Sequence, residues 1–94
     1  MVVGVLTIEI HLPGCGSLKE KRSRLKPLIV RLQREFSIAV AEVGLQDVWQ
    51  DAAIACAMVS NNGRHVERSL QKVSRWIEHT WHDVTVVGDR LEFR

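Results

Sequence analysis

Two amphipathic helical stripes set between strand-like runs predict an α+β fold with the element order β-α-β-β-α-β. Apolar residues recur at Leu18, Leu25, Leu28, Ile29, Leu32 and Phe36, and again at Val66, Leu70, Val73 and Ile77. These spacings of three, four and seven mark one face of a helix. Residues 1–11 and 51–60 are apolar at most positions on both faces, as strands in the middle of a sheet are. Turn or cap residues stand at the junctions.

The first run, MVVGVLTIEIH, places Val2, Leu6, Ile8 and Ile10 on one face with Gly4 between them, and Val3, Val5, Thr7 and Glu9 on the other. Residues 12–16 (LPGCG) are a turn by their Pro and Gly content. Residues 17–36 open with a capping box, in which Ser17 caps the free N–H groups and Glu20 reaches back. Pro27 cannot donate to the carbonyl of Ser23, at a cost of about 3 kcal/mol inside a helix. The apolar stripe keeps its phase across Pro27, so one kinked helix is expected.

Residues 37–44 (SIAVAEVG) read as a second strand, and 45–50 (LQDVWQ) as a polar connection carrying Trp49. In 51–60 (DAAIACAMVS), Ile54, Cys56 and Met58 share one face, and Ala53, Ala55, Ala57 and Val59 the other. A buried helix is the rival for this alanine-rich run; its length and its bounding Asp51 and Ser60 favour a strand. Asn61 or Asn62 caps the second helix, which ends near Thr80 and Trp81. Residues 83–87 and 91–93 make a last strand, or a hairpin around Gly88 and Asp89. This order is a split βαβ arrangement. It predicts a ferredoxin-like sandwich, a four-stranded antiparallel sheet with two helices on one face, as a single domain over residues 1–94. Strands one and three are central in that fold, and they are the two runs apolar on both faces.

Composition narrows the function classes. The chain is 46% hydrophobic and 26% charged, which argues against disorder. No run approaches the roughly 18 apolar residues of a membrane span, and no basic-then-apolar leader opens the chain. Cys15 and Cys56 form no paired framework and read as reduced thiols of a cytoplasmic protein. The net charge of +2 is unevenly spread. The helical segments 17–36 and 62–81 hold eleven Lys or Arg against four Asp or Glu, a charge of +7, and the remainder carries −5. One side of the molecule should be basic and the strand-and-loop portion acidic.

The segments SLKEKR (17–22), AEVGLQDVWQDA (41–52) and VSNNGRHVE (59–67), in this order and spacing, resemble the YlxP-like family of small bacterial proteins of unknown function. The resemblance covers nearly the whole chain and implies a ferredoxin-like fold. Genes of that family often neighbour those for translation initiation and ribosome-binding factors, which implies a role near RNA or the ribosome. It brings no catalytic residue. A basic residue is usual in the family where this chain has Asp51, so charge at that position carries little weight.

No constellation points to catalysis, and the chain is expected not to be an enzyme and to use no cofactor. The PGCGS turn (13–17) lacks a phosphate-loop or dinucleotide fingerprint. Cys15 reads as an incidental exposed thiol. His79, His82 and Asp83 are too few for a metal site and read as a solvated helix end. Glu9, Glu42, Asp47 and Asp51 show no pairing for acid–base work. Trp49 is either a contact residue or a side chain folded back on the sheet edge; Trp76 and Trp81 read as packing residues.

RNA recognition motifs stack bases on aromatics of the central strands, and here those strands hold no aromatic or basic residue. Any RNA contact falls to the helices. The candidate phosphate-binding residues are Lys19, Lys21, Arg22, Arg24, Lys26, Arg64 and Arg68, with RNA or the ribosome as partner. The bland alternative is that these cations only solvate two surface helices. A second function class is a homodimer, without nucleic acid, through a sheet face of Val3, Val5, Ala53, Ala55, Ala57 and Val59. Its rival is that Leu91 and Phe93 of the C-terminal strand fold over that face within one chain.

Overall fold

A computed structural model describes residues 1–94. The elements are β1 (Val2–His11), α1 (Leu18–Phe36), β2 (Ala39–Gly44), β3 (Asp51–Ser60), α2 (Gly63–Thr80) and β4 (Thr85–Phe93). All strand pairings are antiparallel and the sheet order is β2-β3-β1-β4. This is the expected ferredoxin-like arrangement, with the two doubly apolar strands at the centre.

Strand alternation sets which face the helices cover. In the β1–β3 register Leu6 lies opposite Cys56, Ile8 opposite Ile54 and Ile10 opposite Ala52. All six are buried under the helix layer. A slip of one residue would turn this set to the other side, so the burial itself fixes the register. From above, α1 contributes Leu25, Leu28 and Leu32, and α2 contributes Val66, Leu70, Val73 and Ile77. These side chains join one cluster of 18 buried residues. Helix α2 lies across β1, where Gly4 is required by close approach. A Cβ there would collide with Val66 Cγ1 and come within 2.9 Å of Leu70 Cδ1.

Local chemistry places the helix ends. Ser17 Oγ accepts from the Glu20 N–H at 3.0 Å, and Asn62 Oδ1 accepts from the N–H groups of Arg64 and His65. Helix α1 runs unbroken through Pro27 and ends at Ser37, whose φ of 52° turns the chain before β2. The C-terminal residues form one strand rather than a hairpin. Glu9 pairs with Gly88 and Ile10 with Val86, so Val87 is the extra residue of a bulge. Leu91 lies opposite Leu6, and Phe93 opposite Gly4. Both side chains therefore turn to the helix side, against the rival reading in which they fold over the other sheet face. Pairing to β1 decides this, because strand alternation puts opposed residues on the same face.

Leu28 and Leu32 are fully buried between α1 and the sheet. Leu32→Ala should lower the unfolding free energy by about 2–5 kcal/mol, read from denaturant unfolding; an unchanged midpoint would contradict this placement of the helix.

Candidate nucleic-acid interface

Seven Lys or Arg side chains lie along α1, but they do not all face water. Lys21 occupies the apolar stripe, four residues before Leu25 and seven before Leu28, and is 1% exposed. Its ammonium donates to the carbonyl oxygens of Leu45 and Val48, each at 2.7 Å. Glu42 Oε2 lies 3.0 Å away as an ion pair. Glu42 is opposite Ile54 in β2–β3 pairing, which aims its side chain at the helix side. Arg24 is also engaged. Its Nε and Nη2 donate to the Asp83 carboxylate at 2.9 and 3.1 Å, Nη2 to the Asp83 carbonyl and Nη1 to the Pro13 carbonyl. Donating hydrogen bonds to Asp83 pushes the pKa of Arg24 up, so it stays charged. Lys21 and Arg24 are thus removed from the expected phosphate-binding set, Lys21 because its ammonium is buried and Arg24 because Asp83 and Pro13 already occupy its guanidinium.

Lys19, Arg22, Lys26, Arg64 and Arg68 are exposed. A groove of about 450 Å³ between α1 and β2 takes in Arg22, Lys26 and Glu42 over Leu25 and Ile29. A second, of about 460 Å³, runs between α1 and the end of α2, lined by Ser23, Lys26, Pro27, Val30, Arg31, Arg34 and Trp81. Arg64 and Arg68, near the start of α2, line neither. The second groove sits beside a row of aromatic rings. Trp76 and Trp81 stack with centroids 6.3 Å apart, Phe36 meets Trp76 edge-on, and the Arg31 guanidinium lies 5.4 Å over the Trp76 ring.

Sequence reasoning did not single out Arg31, Arg34 and Trp81 as site residues. Ser23, Pro27, Val30 and Arg34 do share the helix face away from the apolar stripe, a signal visible in the spacing. No spacing rule brings Trp81 to them across the chain.

The remaining candidates resolve as follows. Cys15 is 1% exposed and packed in the core, not an exposed thiol, because Leu12 and Cys15 both turn inward at the β1–α1 turn. Burial pushes the Cys56 thiol up to about 12. His79, His82 and Asp83 are exposed at the end of α2, where Asp83 serves Arg24. No three His, Cys, Asp or Glu side chains gather as a metal site would need, and no helix is long and apolar enough to cross a membrane. Asp51 pairs with His11 at 3.0 Å. Trp49 does not fold back on the sheet: it is 52% exposed, together with Val43, Leu45 and Val48 of the same hairpin.

Residues 3–89 match the family described as "Protein of unknown function (DUF503)". The chain belongs to this family. It is also 36% identical to the "Uncharacterized protein YlxP" of Bacillus subtilis (strain 168) over 77 residues, 82% of this chain and 84% of that protein. Two stretches that carry the DUF503 resemblance, 17–22 and 41–52, meet in space at Lys21. The first supplies the ammonium, and the second supplies Glu42, Leu45 and Val48.

Proposed function

We propose that this protein is a cytoplasmic binding module rather than an enzyme, and that it holds RNA, free or within the ribosome, on its helix layer through the phosphates. One observation carries this. With Lys21 buried and Arg24 engaged by Asp83, α1 and α2 still expose nine cations against four carboxylates, Glu20, Glu35, Glu67 and Glu78. Such a layer attracts a phosphate backbone without reading its sequence. The central strands hold no aromatic for base stacking, which leaves the helices as the RNA-facing side.

A second reading, a homodimer without nucleic acid, is favoured by the turn of Leu91 and Phe93 to the helix side. Val3, Val5, Ala53, Ala55 and Ala57 are half-buried and Val59 exposed on the sheet face away from the helices, and Ala39 and Ala41 of β2 extend that face through their pairing with Ala57 and Ala55. Apolar faces of this kind tend to mark interfaces, and a two-fold dimer is the commonest way to cover one.

Each reading has its own variant. Replacing Lys19, Arg22 and Lys26 together by Ala should weaken binding to single-stranded RNA of any sequence. It should also make the slope of log K against log salt shallower by about 2. Absence of RNA or ribosome binding by the wild type at low salt would overturn the RNA reading. For the dimer, sedimentation of the wild type at micromolar concentration should show two copies, and folded Ala55→Glu should run as one. A wild type that stays monomeric throughout would overturn it.

A further inference from the structure

We propose that the groove between α1 and the end of α2 is a seat for one nucleotide unit, an unstacked base with its phosphate; this rests on the RNA reading and names the part of RNA that the helix layer holds. The lining decides the ligand's charge. Lys26, Arg31 and Arg34 contribute three cations and no carboxylate lines the groove. The other two grooves each include carboxylates, Glu42 in one and Glu9 with Asp89 in the other. Glu35 reaches Arg31 at 3.4 Å from along the helix but is not part of the lining.

The same lining decides the ligand's shape. Trp81 forms one wall and is braced from behind by Trp76, which Phe36 and Arg31 hold in turn. A ring fixed this way is a stacking platform, and every base has a π-face to offer it. Trp81 Nε1 is buried with no acceptor in the chain, an arrangement folding alone disfavours. Pro27 adds a hydrogen-bonding edge. It has no N–H for the Ser23 carbonyl, and Ser23 and Pro27 both line the groove. The proline that is costly to the helix thereby leaves the Ser23 carbonyl without its helical donor on the groove side of α1. A volume of about 460 Å³ fits a ligand of nucleotide size.

The test uses the full chain with four probes: a ten-residue oligoadenylate, a ten-base-pair RNA duplex, adenosine 5′-monophosphate and inorganic phosphate. The single strand should bind roughly tenfold more tightly than the duplex, whose bases are stacked away. Trp81→Leu should remove that preference and leave duplex binding unchanged. Because Trp81 also packs against the core, Arg34→Glu at an exposed position is the second variant, and it should lose more on the single strand than on the duplex. Competition by adenosine 5′-monophosphate, but not by phosphate at equal concentration, would show that a free nucleotide takes the seat. Loss of the single-strand preference in the variants without such competition would assign the seat to residues within RNA. Equal binding of strand and duplex, unaffected by Trp81→Leu, would overturn the seat and leave phosphate binding standing. Binding of the mononucleotide without any RNA would overturn the RNA reading and keep the seat, and no binding of any probe would overturn both.

Discussion

The fold depends on a charge placed where a leucine might be expected. Lys21 lies on the buried stripe of α1, and its ammonium is taken out of water. Dehydrating such an ion costs several kcal/mol unless its protons are all met. Here the carbonyl oxygens of Leu45 and Val48 accept from it, and the Glu42 carboxylate, 3.0 Å away, neutralises its charge. The hairpin between β2 and β3 therefore closes around the end of a helical side chain. Leu45 adopts a φ of 59°, a backbone region that a bulky residue seldom enters. Its carbonyl accepts from both Lys21 and the Val48 N–H. The strain sits where the hydrogen bonding is densest, as a strained residue requires if it is to persist.

Two consequences follow for the surface. Docking Lys21 fixes the rotation of α1, and Arg24 fixes it again from the other side by clamping Asp83 and Pro13. With Lys21 buried and Arg24 held by Asp83 at the surface, Lys19, Arg22, Lys26, Arg31 and Arg34 remain as the outward-facing cations of α1. The same docking holds Val43, Leu45, Val48 and Trp49 out in water on a hairpin whose backbone is pinned from inside.

Local patterns made the architecture legible. The alternation through Ile8 and Ile54 gave both central strands, the spacing of Leu25, Leu28 and Leu32 gave the helix phase, and Ser17 and Asn62 gave the helix starts. Long-range partners explain what was missed. Lys21 counts as a surface cation until Glu42 and two loop carbonyls are brought to it, although its phase with Leu25 and Leu28 already placed it on the buried side. Arg24 needed Asp83, 59 residues further along, and the groove needed Trp81 from the far end of α2. Cys15 looked exposed because turns usually are, whereas this one tucks Leu12 and Cys15 beneath the start of α1. The bulge at Val87 let one strand absorb what the Gly88–Asp89 pair suggested was a hairpin.

The most direct test of this account compares urea unfolding of Lys21→Met with that of Lys19→Met. Methionine keeps most of the lysine stem but leaves the carbonyls of Leu45 and Val48 without their donor and the Glu42 carboxylate without its counter-charge. Glu42 retains some solvent contact, so the loss for Lys21→Met should be about 3 kcal/mol, the lower end for breaking a buried pair. The exposed Lys19→Met should stay within about 0.5 kcal/mol of wild type. Equal stability of the two variants would contradict the claim that the buried ammonium organises the fold.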